Sequence, residues 1–216
     1  MKTMEKSLDM SIKALLPIMQ RKILNKTTYL GIRTIKNPLD LWVYQEIIYD
    51  TRPNVIIEIG NAFGGTLLAL AHICDALWPL SKSSGKIIGI DLDHRSLDKR
   101  VIAHPRIHLK ERDAVACFKE VKELVPAHAS VLVIEDSSHK YDNTLDILKN
   151  YSTLIKPGGY FIVEDGICHH GLNVGPSPGP YEAVETFLAE YPDFEVDRTR
   201  ESFLLTWNPR GFLRRK

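Results

Sequence analysis

Two acidic segments each close an apolar run. Val133-Ile134-Glu135-Asp136-Ser137-Ser138-His139 follows the run at 131–134, and Phe161-Ile162-Val163-Glu164-Asp165-Gly166 follows the run at 160–163. Carboxylates at the end of a buried strand are costly unless paired or metal-bound. Two adjacent strand ends delivering Asp136, Glu164 and Asp165 to one sheet edge make a hard, oxygen-rich site that suits Mg²⁺. No cluster of Cys or paired His points to zinc. A cation there stabilises the alkoxide of a substrate hydroxyl. His139, three residues past Asp136, is then placed to take the proton, with a reference pKa near ~6.5. Asp136 and His139 are the candidate catalytic residues, and Asp136, Glu164 and Asp165 the candidate metal ligands. A plainer reading makes His139 a helix cap or a residue that orients a ligand. Glu135 points to the other side of its strand.

A second chemical signal precedes these. The strand at 55–59 runs into Glu58-Ile59-Gly60-Asn61-Ala62-Phe63-Gly64-Gly65-Thr66 and then a helix. Glycines there let the backbone turn tightly and bring a ligand against the helix N-terminus. The Gly-x-x-x-Gly-Gly spacing is not the Gly-x-Gly-x-x-Gly of dinucleotide folds. Glu58 repels a pyrophosphate but suits an α-amino group or a sulfonium. Asp91 ends the next strand, where an acid takes both hydroxyls of a ribose. Amino group, positive sulfur and ribose together describe S-adenosylmethionine, with Asp113 after the third strand on the adenine side. Glu58, Gly60, Asn61, Gly64, Gly65, Thr66, Asp91, Asp113 and Ser137 are therefore the candidate cofactor-binding residues. An ordinary glycine-rich turn with solvated acids is the plainer alternative.

These residues need a sheet to position them. The 216-residue chain is long enough for one α/β domain with a developed core. Strands are expected at 55–59, 86–90, 107–109, 131–134 and 160–163, and helices at 41–49, 66–77, 95–100, 114–124, 141–154 and 181–191. Near-continuous apolar strands alternating with helices indicate a parallel sheet covered on both faces. Residues 194–196 and 203–207 read as a closing hairpin at one edge. Residues 1–50 read as an N-terminal helical extension or cap and 51–216 as the cofactor-binding domain. In the extension Leu8, Ile12, Leu15, Met19 and Ile23 recur at helical spacing, interrupted by Lys13 and Pro17. Lys2, Lys6, Lys13, Arg21 and Lys22 leave a membrane-surface helix as the lesser alternative. Residues 25–36 read as polar and irregular, with a turn at Gly31. The Gly/Pro-rich stretch 166–180 reads as a lid or substrate loop, too polar for core, with His169 and His170 as substrate contacts and Tyr29 as a third.

Lys plus Arg total 28 against 27 for Asp plus Glu, so no net field recruits nucleic acid. The basic tail Arg210, Arg214, Arg215, Lys216 reads as solvated. Cys74, Cys117 and Cys168 are too few and too scattered for a disulfide framework. With no signal-peptide pattern and no apolar run of transmembrane length, a cytoplasmic protein is expected, without stable membrane insertion. The apolar helix faces suggest a homo-oligomer.

The chain resembles the cephalosporin hydroxylase-like family from about Gly31 onward. The marks are Asn37-Pro38-Leu39-Asp40 with Tyr44-Gln45, Ile57-Glu58-Ile59-Gly60 with Gly64-Gly65, and Gly89-Ile90-Asp91-Leu92-Asp93. Further marks are Asp136-Ser137-Ser138-His139, Tyr160-Phe161-Ile162-Val163-Glu164-Asp165, and Gly179-Pro180 with Ala183-Val184 and Phe187-Leu188. Despite the family's name, its studied members look like S-adenosylmethionine-dependent, Mg²⁺-dependent O-methyltransferases. The resemblance implies a Rossmann-like class I methyltransferase fold, with a mostly parallel seven-stranded sheet, helices on both faces and an antiparallel edge hairpin. It implies the same metal ligands, the same cofactor loop and Asp91, and an antibiotic nucleus or a sugar as acceptor. Arg112-Asp113-Ala114 stands where the family tends to have Gly-Asp-Ser, and Lys140-Tyr141 where a hydroxylated residue and a second histidine often follow. A catechol- or caffeoyl-type methyltransferase and a non-catalytic cofactor-binding partner protein are the alternatives.

Overall fold

A computed structural model describes residues 10–79 and 84–216. In chain order the elements are α1 (Ile12–Lys26), β1 (Thr28–Tyr29), β2 (Ile32–Arg33), α2 (Pro38–Thr51), β3 (Val55–Ile59), α3 (Gly65–Leu77), β4 (Lys86–Asp91), α4 (Lys99–Ile102), β5 (Ile107–Glu111) and α5 (Phe118–Leu124). There follow β6 (Val131–Glu135), α6 (Tyr141–Tyr151), β7 (Tyr160–Val163), α7 (Pro180–Glu190), β8 (Phe194–Val196) and β9 (Phe212–Arg215). Seven strands form one sheet in the order β5-β4-β3-β6-β7-β9-β8. The first five in that order run parallel, and β9 lies antiparallel to both β7 and β8.

Both faces of the central strands are buried, which explains their unbroken apolar runs. Val55, Ile57, Val131 and Val133 pack beneath α5, α6 and α7 through Val121, Leu148 and Phe187. Ile56, Ile87, Leu132 and Ile162 face the other way and pack beneath α2 and α3 through Tyr44, Ile47 and Leu67. Thus α2, read from sequence as part of the N-terminal extension or cap, covers one face of the sheet. Around Gly31 the irregular stretch forms a small antiparallel hairpin, β1–β2.

The expected helix at 95–100 forms at Lys99–Ile102, and that at 114–124 begins only at Phe118. The N-terminal helix starts at Ile12 behind the Ser11 cap, and Pro17 lies within it. Its Leu16 and Ile23 pack against Ile167, Leu172 and Trp207 of the same chain. Leu8, Lys2 and Lys6 lie outside the described residues. No described helix is long and apolar enough to cross a membrane.

The end of the chain corrects two expectations. Residues 203–207 are no strand: Leu204 is 90% exposed and left-handed at φ 62°, and the Trp207 N–H is drawn to Asp40 Oδ2 at 2.9 Å. The strand that pairs with β8 is β9, inside the basic tail. Phe212 and Leu213 are fully buried, Arg214 and Arg215 take outer positions, and Arg215 pairs with Asp193 at 2.9 Å. The tail is therefore an interior strand, not a solvated end. Phe212 meets the Tyr44 ring edge-on at 6.4 Å, so it joins sheet and α2. Phe212→Ala is expected to cost about 3–5 kcal/mol in denaturant unfolding; a cost under about 1 kcal/mol would mean β9 adds little to the core.

Candidate functional site

Strand β3 connects onward to β4 on one side of the sheet, while β6 lies on its other side. Such a switch in strand order opens a crevice at the carboxyl ends of the strands. There the chain has a cavity of about 450 Å³, lined by residues following β3, β4, β5, β6 and β7. Of the sequence-derived candidates it brings together Gly60, Asn61, Gly65, Thr66, Asp91, Asp113, Asp136, Ser137, His139 and Asp165.

One wall is the glycine loop. Gly60 has φ +89°, and a Cβ on it would lie 1.9 Å from the Asp136 carbonyl oxygen, so two strand ends cross there in backbone contact. Asp91 Oδ2 accepts the backbone N–H groups of Asn61 and Ala62 at 2.7 and 3.1 Å, and its Oδ1 accepts that of Leu92. The acid thus shapes the loop as well as facing the cavity. Gly64 instead packs toward Leu97 and Val101. Helix α3 starts with no side-chain cap among the described residues, and its first residues, Gly65 and Thr66, face the cavity. Open N–H groups and a helix dipole there suit an anionic carboxylate.

Glu58 lies beneath this wall and does not line the cavity. It is 1% exposed, burial pushes its carboxyl up to about 8, and Asn61 donates to its main chain and side chain. Asp113 Oδ1 accepts the Ala116 N–H at 2.8 Å. Ser137 donates to Glu135 Oε1 at 2.7 Å and accepts from Asn143 at 2.9 Å. Glu135 is buried, its Oε2 has no partner among the described residues, and burial raises its carboxyl to about 7.

The other wall is the acid cluster. His139 Nε2 lies 3.1 Å from Asp136 Oδ1 and 3.3 Å from Asp165 Oδ2. One ligand-type atom each from Asp136, His139 and Asp165 falls within 4.8 Å of the others. His139 and Asp165 both hold left-handed backbone, φ 57° and 55°, a strain that persists only where the surroundings enforce it. Burial alone would lower the His139 pKa, but the hydrogen bond and charge of Asp136 and the charge of Asp165 raise it to about 9. Burial and nearby acids push Asp165 up to about 6 and Glu164 well above the usual carboxylate range. Burial opposes ionisation of Asp136 too, yet Lys36 and His139 outweigh it and its pKa falls. This donor set, oxygen-rich and crowded with negative charge, fits a hard divalent cation.

Sequence reasoning missed the residues behind that wall. Lys36, its side chain 3% exposed, donates to Asp136 Oδ2 at 2.7 Å and also to Glu164 Oε1. Glu164 therefore sits behind the cavity rather than in its lining. Asn208 accepts the Asp165 N–H at 3.2 Å and donates to the Tyr44 hydroxyl at 2.9 Å. Burial, then the nearby Glu164 carboxyl, raises the Tyr44 pKa well above its ordinary value. Asp40 fastens this layer, accepting from Asn37, Thr206 and the Trp207 N–H. The local signals were the helix cap Asn37-Pro38 beside the lysine and the Asp40 and Tyr44 positions of the resemblance, none of which was assigned a role at the site from the sequence alone.

The three substrate candidates are held elsewhere. Tyr29 contacts His72 Nδ1 on α3 at 3.1 Å. His169 Nε2 meets the Gly175 carbonyl, and His170 stacks on Tyr181 at 3.7 Å while pairing with Glu182. Nor is the 166–180 stretch uniformly too polar for core: Ile167, Cys168 and Leu172 are buried, the first and last against α1.

The family model for rhamnosyl O-methyltransferase/CmcI matches residues 21–216. The rhamnosyl O-methyltransferase of Mycobacterium tuberculosis (strain ATCC 25618 / H37Rv) is 34% identical over 194 residues, covering 87% of this chain and 78% of the relative. That of Mycobacterium leprae (strain TN) is 32% identical over 201 residues, covering 89% and 84%. Among solved structures, the apo-structure of CmcI-N160 superposes with a TM-score of 0.67 at 25% identity, covering 88% of this chain and 76% of that chain. The O-methyltransferase from Bacillus cereus in complex with SAH reaches 0.58 at 13% identity, over 87% and 84%, a likeness of fold. The chain belongs to the rhamnosyl O-methyltransferase/CmcI family and has the class I methyltransferase fold.

Proposed function

We propose that this protein transfers a methyl group from S-adenosylmethionine to a hydroxyl of a saccharide, assisted by Mg²⁺. The carrying observation is a single cavity with the glycine loop and Asp91 on one wall and Asp136, His139 and Asp165 on the other. Relatives at 34% and 32% identity are rhamnosyl O-methyltransferases, which supports a sugar acceptor.

In this reading the Gly60–Thr66 loop, Asp91, Asp113 and Ser137 hold the cofactor, which supplies an electrophilic methyl group. Glu58 acts from beneath through Asn61 rather than by contact. Asp136 and Asp165, with Glu164 behind the lining as the third acid, would hold the cation, which would supply Lewis acidity toward an acceptor hydroxyl. His139 Nε2 faces the space between the Asp136 and Asp165 carboxylates, which places the imidazole beside the acceptor hydroxyl to take its proton. Holding the acceptor oxygen in line with the methyl group lowers the barrier by proximity and orientation.

The test is methyl transfer from labelled cofactor, with Mg²⁺, to a panel of rhamnosyl and other saccharides set beside catechols. Label on a saccharide hydroxyl is expected. Transfer to catechols alone would replace the acceptor class; tight S-adenosylhomocysteine binding with no transfer to any acceptor would leave a cofactor-binding protein without chemistry.

His139→Asn separates base from scaffold. Asn tolerates the left-handed backbone at this position, so the loop should keep its shape. Loss of the proton acceptor is expected to lower kcat on the order of 10²- to 10³-fold, with S-adenosylhomocysteine binding unchanged in calorimetry. Unchanged kcat would return His139 to an orienting role.

A further inference from the structure

An ammonium group deep behind three carboxylates is an unusual choice, because taking a lysine out of water is costly unless it is paired closely. Lys36 is so paired: its Nζ reaches one oxygen of Asp136 and one of Glu164, and it lies 5.9 Å from the centre of the Tyr44 ring, within cation–π range. It is fixed from its own side too, since it directly precedes Asn37, the residue that caps α2 and bonds Asp40. Tyr44, two turns into that helix, reaches Asp165 through Asn208. One helix start therefore places Lys36 and, by a second route, the acid on the far side of the cluster.

Charge gives the lysine a role beyond holding. Asp136, Glu164 and Asp165 carry up to three negative charges when ionised around a cation, and Lys36 offsets one of them directly at two of the carboxylates. Glu58 is turned toward Asn61 but lies within electrostatic reach of Lys36 and Asp136. Asp136 keeps Oδ1 free of the lysine, on the His139 side.

We propose that Lys36 is a positioning residue that sets the charge preference of the acid cluster, holding one oxygen each of Asp136 and Glu164 and matching the site to a divalent rather than a trivalent cation. This rests on the reading that the cluster holds a cation beside S-adenosylmethionine. Without the ammonium the cluster attracts a 3+ ion more strongly than a 2+ ion by one extra charge product, in partly buried surroundings where Coulomb attraction is weakly screened.

The experiment measures dissociation constants of Mn²⁺ and La³⁺ by calorimetry on the full chain, with S-adenosylhomocysteine affinity determined on each sample. Lys36→Met is expected to raise the preference for La³⁺ over Mn²⁺ about tenfold or more relative to wild type, by the Coulomb argument. Lys36→Arg should keep it within about threefold, since the positive charge is retained. Glu164→Gln, with the lysine present and one acid fewer, should shift the preference the opposite way. The double variant K36M/E164Q, which removes a buried pair together, should return it to near wild type and carries the test should K36M not fold. An unmoved preference in K36M, or a tenfold change in the double variant, overturns the proposal. Failure of the wild-type protein to bind S-adenosylhomocysteine would instead sink the methyltransferase reading.

Discussion

Asp165→Asn is expected to leave a folded protein that binds S-adenosylhomocysteine within about threefold of wild type, while kcat falls on the order of 10³-fold, the scale of losing a key electrostatic group. The substitution is shape-preserving where shape matters. Asn accepts the left-handed φ of 55°, and the main-chain N–H at 165 keeps its bond to Asn208 Oδ1. What disappears is one negative charge, 3.3 Å from His139 and in the same cluster as Asp136. Stability should move the other way in the presence of a chelator. The folded-state pKa of Asp165 is raised to about 6, above an unfolded value near ~3.9. The folded state thus binds the extra proton, and wild-type stability declines as pH rises between those values. The Asn variant lacks that decline, so its advantage, on the order of 1 kcal/mol, should be absent below about pH 4 and fully present above about pH 6. Activity lost with stability gained is the signature of a charge kept for function. Wild-type turnover in the variant would remove Asp165 from the cation-holding set. Loss of S-adenosylhomocysteine binding would make the loop after β7 part of the cofactor cleft instead.

Four of the five parallel strands, β3, β4, β6 and β7, were legible in the sequence because each is buried on both faces and so shows as a plain apolar run, whereas β5 at the sheet edge showed only through Ile107 and Leu109. The acids were legible for the complementary reason: charge directly after such a run requires a partner of its own. The rest depends on contacts that local pattern does not carry. Lys36 reads as one more surface lysine, because its partners Asp136 and Glu164 are 100 and 128 residues away. Strand β9 has only Phe212 and Leu213 as apolar residues amid arginines, and its place between β7 and β8 is a fact of topology. Residues 203–207 look more strand-like, yet Asp40 pulls Trp207 into a turn. Tyr29, His169 and His170 show the converse case: polar aromatic side chains that could touch a ligand also have partners within the chain, in His72, the Gly175 carbonyl and Glu182. Residue type alone does not separate those cases.

Gly60→Ala should be the most damaging single-methyl change at this site. Its φ of +89° alone costs an alanine about 1–2 kcal/mol. Steric contact costs more: the added Cβ would lie 1.9 Å from the Asp136 carbonyl oxygen and 2.5 Å from its carbon. Neither strand can yield easily. The Gly60 N–H is bonded to the Ile90 carbonyl at 2.8 Å, and the Asp136 N–H to the Ile59 carbonyl at 2.8 Å, so both sides of the crossing are tied into the sheet. Relief requires breaking the β3–β6 ladder at the end that carries both the cofactor loop and the first acid. A total cost above about 4 kcal/mol is expected, in the range kept for severe core disruption. Gly31→Ala supplies the control, because Gly31 has φ +84° but none of the described residues comes within 4 Å of its added Cβ. It should lose only about 1–2 kcal/mol from backbone strain and keep its cofactor affinity. Denaturant unfolding of the two variants side by side checks this. Equal losses would mean that the strand ends part without penalty, and that the contact between Gly60 and Asp136 does not lock the cofactor loop to the acid cluster.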